Sequence, residues 1–197
     1  MSEFLQGMFG ARPVEWIAVA CGLINVALII RRSVWNFPFG FAMVTLYFFI
    51  FRDYRLYSDA ALQIYFFAIQ IYGVWNWLQN QGGDGRVVVE PLPRARFASY
   101  LALTALAWIG IAALMARFTD AAAPWQDAAV AALSVLAQFL LARRHLESWL
   151  IWIAVDLLAI QLFWSRDLIP TAALYTLFLA MAVTGFLQWR RAPRAAG

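Results

Sequence analysis

Lysine is missing from this chain of 197 residues: all fifteen basic residues are arginine, and only 13% of positions are charged. Soluble domains run near a quarter charged, so a water-facing globular domain is excluded. Cys21 is the single cysteine, which rules out an internal disulfide and reads as a small hydrophobe within an apolar run. His145 is the single histidine; with no Cys or His partner it gives a metal site little support. The chain has no G-x-x-x-x-G-K, no H-E-x-x-H and no G-x-S-x-G, and its acidic residues do not pair within the apolar segments. ATP-driven pumping and the common hydrolytic chemistries are thereby excluded. Neither an enzyme nor a bound cofactor is expected.

What is present is apolar. Hydrophobic residues make up 64% of the chain and mean hydropathy is +0.69, which marks an all-α integral membrane protein. Seven spans are expected at 16–30, 35–51, 59–78, 97–115, 125–142, 147–164 and 169–189. They are apolar all round, as helices in lipid or in a membrane bundle are. The connection from Gln79 to Arg96 is the longest; Gly82-Gly83-Asp84-Gly85 and Pro91-Leu92-Pro93 make it a polar linker with a turn. The ends, Met1–Pro13 and Ala192–Gly197, are expected to be loosely ordered. The first apolar run is followed, not preceded, by Arg31-Arg32, the reverse of a signal peptide. A pI near 9.6 does not imply nucleic acid, because the arginines lie in short loops between spans.

The second half repeats the first at an offset of 112 residues without a gap. Arg31-Arg32 falls on Arg143-Arg144, Phe51 on Phe163, Leu56 on Leu168, Ala60-Ala61-Leu62 on Ala172-Ala173-Leu174, Gly73 on Gly185 and Trp77 on Trp189. The whole chain, 1–197, is then one transmembrane domain with three-helix repeats at 16–78 and 125–189 and a linker helix at 97–115. Corresponding spans are four apart, so the repeats run parallel, related by a pseudo-two-fold along the membrane normal. Such duplication is typical of carriers whose site lies between the repeats. Ten arginines lie on the side of the C-terminus and five, including Arg12, on the other. That bias places the C-terminus in the cytoplasm and the N-terminus outside.

Ionisable and amide groups within spans are costly, so they are functional candidates. Asp156 sits near the centre of span 6, far from any interface. It either meets a cationic or hydrogen-bonding substrate in a polar cavity, or is protonated and bonds a neighbouring helix. Trp149 and Trp152 share its helical face, and Phe163 extends that face; a flat aromatic ligand could stack on the indoles, although an indole near a span end also suits the interface. On span 3, Gln63 and Gln70 share a face and need partners, whether a helix or a ligand. Tyr175 on span 7 is the repeat equivalent of Gln63. Asn25, Gln138 and Gln161 read as packing. Trp35, Asn36, Pro38 and Gly40 open span 2, either as a rigid helix start or as a hinge for a gate.

Three stretches together resemble the bacterial PnuC family of nicotinamide riboside transporters: Trp35-Asn36-Phe37-Pro38-Phe39-Gly40, Arg55-Leu56-Tyr57-Ser58-Asp59 with Gln63, and Tyr72-Gly73-Val74-Trp75-Asn76-Trp77. The resemblance runs from about Trp16 to Trp189. It implies seven helices in a 3+1+3 arrangement related to the SWEET sugar transporters, residence in the bacterial inner membrane, and homotrimers. It also implies facilitated diffusion, with the cargo trapped by a cytoplasmic kinase. The family's span-6 motif resembles W-x-x-W-x-x-x-N-x-x-x-x-x-x-Y. Trp149 and Trp152 match its tryptophans; Asp156 stands in place of the asparagine and Phe163 in place of the tyrosine. Related members are associated with thiamine or riboflavin. A carboxylate suits the fixed positive charge of nicotinamide riboside or thiamine, and is less needed for neutral riboflavin, so the expected order of cargo is nicotinamide riboside, thiamine, riboflavin. A proton-coupled symporter and a membrane-embedded interaction protein that has lost transport are the rival readings.

Overall fold

The computed structural model describes residues 13–55, 57–119 and 123–192. These form seven helices: α1 Pro13–Ile30, α2 Asn36–Asp53, α3 Tyr57–Gln79, α4 Arg94–Phe118, α5 Pro124–Ala142, α6 Glu147–Trp164 and α7 Ile169–Arg190. There is no β-strand beyond two isolated bridges among the described residues. Five helices are long and apolar enough to cross a membrane by composition; α2 and α3 are as long but carry more amide and aromatic groups. Prolines in the first turn start α5 and α7, where a missing N–H costs nothing.

The helix ends repeat as the sequence does. Arg32 and Arg144 both adopt left-handed backbone (φ 57° and 65°), as do Arg55 and Asp167 (φ 61° and 57°). After α1 the N–H of Ser33 bonds Leu28 O and that of Arg32 bonds Ile29 O; after α5 His145 bonds Leu140 O and Arg144 bonds Leu141 O. Each pair is a Schellman-type stop with arginine where glycine is usual.

Neighbour relations define a ring. α1 packs on α2, α2 on α3, α3 on α5, α5 on α6, α6 on α7, and α7 back on α1; α4 lies outside and touches only α5 among the helices. The two joints between halves are sealed alike. Trp77 on α3 donates its indole N–H to Leu141 O at 3.1 Å, and Trp189 on α7 donates to Ile29 O at 3.1 Å. Donors and acceptors are both 112 residues apart, and these bonds bring the C-terminal ends of α1, α3, α5 and α7 to one face. The repeats are therefore parallel. The indoles of Trp77 and Trp189 meet across the pseudo-axis at 5.9 Å, each capped edge-on by its equivalent ring, Phe37 (5.4 Å) and Trp149 (5.6 Å). This aromatic plug closes one end of the ring. Trp77→Phe and Trp189→Phe each remove one of the two hydrogen bonds that a helix-end carbonyl accepts, so each should cost about 0.5–1.5 kcal/mol. Unfolding of the two variants in detergent should show similar losses.

The linker between α3 and α4 is docked on the same face. Val87 and Val89 are fully buried in the plug cluster. Arg32 donates from Nη1 to Val87 O (2.9 Å), and Arg144 from Nη1 to Val88 O (3.0 Å). Arg144 also pairs with Glu90 at 2.9 Å. His145 is fully buried, with Nδ1 3.1 Å from Glu90 O. A neutral ring donating from Nδ1 leaves Nε2 buried without a partner among the described residues, and burial lowers the His145 pKa from its usual 6.5. The unfolded chain thus binds a proton near pH 6.5 that the folded chain refuses, and stability is lost as pH falls through that value. The unfolding midpoint should be lower at pH 5.5 than at 7.5, and His145→Gln should abolish that difference.

Candidate functional site

The middle of the ring is lined unequally by the two halves. Gly40 on α2 is equivalent to Trp152 on α6. A Cβ at Gly40 would collide with Gln70 Oε1 and come within 2.8 Å of Asn25 Nδ2. In the second half the positions of Asn25 and Gln70 are Ala137 and Ala182, and Trp152 packs against the apolar clusters that hold them. Large and small have changed places: one half presents amides over a glycine, the other an indole over alanines. Val44 is likewise the counterpart of Asp156.

Asp156 is 4% exposed, Gln70 4% and Gln63 8%. None of the three makes a hydrogen bond or ion pair with a described residue. Buried polar groups normally have partners, and the other buried amides do: Asn25 donates to Asn36 O at 2.8 Å, Asn36 to Ser33 O at 2.7 Å and Asn76 to Ala142 O at 2.9 Å. Tyr175 stacks on Phe163 at 5.3 Å and lies within electrostatic reach of Asp156, Tyr47 and Asp59. Asp59 in turn is in reach of Asp127, which pairs with Arg166 at 3.2 Å. A line of acidic and phenolic groups therefore leads from the face opposite the plug to Asp156.

The span-6 face divides. Trp152 is half-buried and borders the unequal middle. Trp149 is 2% exposed and wedged between helices; a Cβ on Gly185 would lie 2.5 Å from its ring. Its Nε1 has no hydrogen-bond partner among the described residues. Trp35 is 70% exposed, Asn36 is buried, and α2 runs unbroken from Asn36 through Pro38 and Gly40. Tyr47 and Asp59 are site residues absent from the sequence expectations, although Tyr47 lies one turn from Val44, the counterpart of Asp156. The linker contacts of Val87, Glu90 and His145 are absent from them too. Arg12 and Leu56 fall outside the described residues.

Six helices in a closed ring of two parallel three-helix units, a seventh packed outside it, and buried polar groups without partners among the described residues define a membrane carrier. Comparison with known proteins agrees. The profile of the family described as "Nicotinamide mononucleotide transporter" matches residues 12–191, and the chain belongs to that family. The nicotinamide riboside transporter PnuC of Escherichia coli (strain K12) is 24% identical over 93% of this chain and 87% of its own length. The riboflavin/roseoflavin transporter RibM of Streptomyces davaonensis is 28% identical over 85% of this chain and 80% of its own. The crystal structure of the vitamin B3 transporter PnuC superposes with a TM-score of 0.76 at 22% identity, covering 90% of this chain and 80% of that one.

Proposed function

We propose that this protein carries a cationic, vitamin-derived aromatic compound into the cell by facilitated diffusion, nicotinamide riboside first and thiamine second. The observation that carries the reading is the trio of buried polar side chains without partners among the described residues, Asp156, Gln63 and Gln70. A ligand supplies the missing partners; the ring of Trp152 takes its flat face and the Asp156 carboxylate its charge. Phe163 and Tyr175 border the same region, and the acidic line through Asp59 favours a cation approaching from outside. Trp149 holds Trp189 and Gly185 in place and supports the site from behind. The names of the PnuC relatives favour nicotinamide riboside, and that of RibM favours riboflavin, for which a buried carboxylate has less use.

Alternation follows from the ring: the halves touch through two matched joints, α3 on α5 and α7 on α1, and rocking about them opens one end as the other closes. Arginine bias sets the plugged end and the C-terminus in the cytoplasm of an inner-membrane protein. Homotrimeric assembly and trapping of the cargo by a cytoplasmic kinase belong to the same reading. Calorimetric titration of the purified protein with nicotinamide riboside, thiamine and riboflavin tests it. Saturable binding of one cationic ligand, lost in Trp152→Ala, is expected; binding of riboflavin alone would reverse the order, and no binding of any would end the vitamin assignment.

A further inference from the structure

Beside the plug, a cavity of about 250 Å³ opens between the end of α1, the linker and the end of α7, lined by Arg31, Arg32, Arg86, Gln188 and Arg191. Arg31, Arg86 and Arg191 are exposed and pair with no carboxylate among the described residues. Topological bias explains why arginines lie on this face. It does not explain why four converge on one cavity, since like charges drawn together repel. The carbonyl ends of α1 and α7 offset only part of that repulsion.

The other half shows what is missing. Arg144 and Arg32 are equivalent, share left-handed backbone and hold the linker through the same nitrogen. Arg144 completes its fork on Glu90 at 2.9 Å. Among the described residues Arg32 pairs only with Asp84, at 3.7 Å, half-exposed and beyond hydrogen-bond distance. An anion is built into one half, and its place is open in the other.

We propose that this cavity binds a phosphate group. Guanidinium forks match phosphate oxygens in pairs, and converging arginines favour a multiply charged anion. The group comes either from a soluble phosphate ester or from the headgroup of an anionic phospholipid. Bound there it ties α1, the linker and α7 together beside the plug. On the transport reading above, on which this clause rests, occupancy slows opening of the inner end.

The test uses the full chain in phosphatidylcholine nanodiscs at low salt, with radiolabelled inorganic phosphate as the probe. Saturable binding is expected, weakened at least about tenfold in Arg31→Gln/Arg191→Gln and unchanged in Arg94→Gln/Arg96→Gln, which removes the same charge from the same face outside the cavity. Arg32 is left intact because it also holds the linker. In phosphatidylglycerol nanodiscs, loss of phosphate binding with native-mass-spectrometry retention of that lipid identifies a headgroup occupant. Retained phosphate binding identifies a soluble one. Equal loss in both double variants, or neither phosphate nor lipid bound by the unaltered chain, overturns the proposal. Cargo titration reads Trp152 and Asp156 independently, so failure here and failure of the vitamin reading are separable.

Discussion

Asp156→Ala is expected to weaken binding of a cationic cargo by about a hundredfold or more, whereas Asn25→Ala weakens it only a few-fold. A unit charge about 4 Å from a carboxylate gains roughly 4 kcal/mol at the effective dielectric of a protein site, and each 1.4 kcal/mol is a factor of ten. Part of that gain is offset by desolvating the cation, but Asp156 is already buried and has no partner among the described residues to give up. Asn25 by contrast is engaged with Asn36 O, and its loss is felt in packing rather than in the ligand. Asp156→Asn keeps the hydrogen-bonding shape without the charge and should fall between. Calorimetry on the three variants checks the order, and equal effects at positions 156 and 25 would remove Asp156 from the site.

Gly185→Ala is the second large effect, and it acts on the fold. The new methyl would sit 2.5–2.6 Å from three atoms of the Trp149 ring, a distance no packed pair tolerates. At the equivalent joint a Cβ on Gly73 meets Phe37 at 3.1 Å, a contact a small ring shift relieves. Overpacking of this kind typically costs about 1–3 kcal/mol, so Gly185→Ala should destabilise clearly more than Gly73→Ala. Trp149→Phe, which gives the second joint the ring of the first, should recover much of the loss. Detergent unfolding of the two single variants and of Gly185→Ala/Trp149→Phe measures this. A rescue no better than additive would mean that the two joints are not packed alike.

The helices were legible because prolines and arginines punctuate them. The span expected at 147–164 is α6 to the residue, and the one at 97–115 falls three residues short at each end of α4. Parallel repeats were legible from one offset. The order of helices around the ring was not, because hydrophobicity without a stripe does not say which neighbour a helix faces. Trp149 and Trp152 show the limit most clearly: three residues apart, they share a face, yet α7 crosses so that one indole meets Gly185 and the other the middle of the ring. The pairing of Gly73 with Gly185 and of Phe37 with Trp149 at the common offset carried that information. The docked linker was hidden for another reason: its buried valines lie in a segment whose glycines and prolines read as solvent-exposed.

The exchange of large and small across the pseudo-axis has a directional consequence. A frame with equal halves could hold a ligand in either of two flipped poses, each with the same energy. Here an indole and a carboxylate stand on one side and two amides on the other, so turning a ligand over would set its flat face against amides and its charge against Val44. On the proposed function, the cargo is thereby held in one of two poses that differ by a half-turn about the membrane normal, the other pose losing both the indole and the carboxylate.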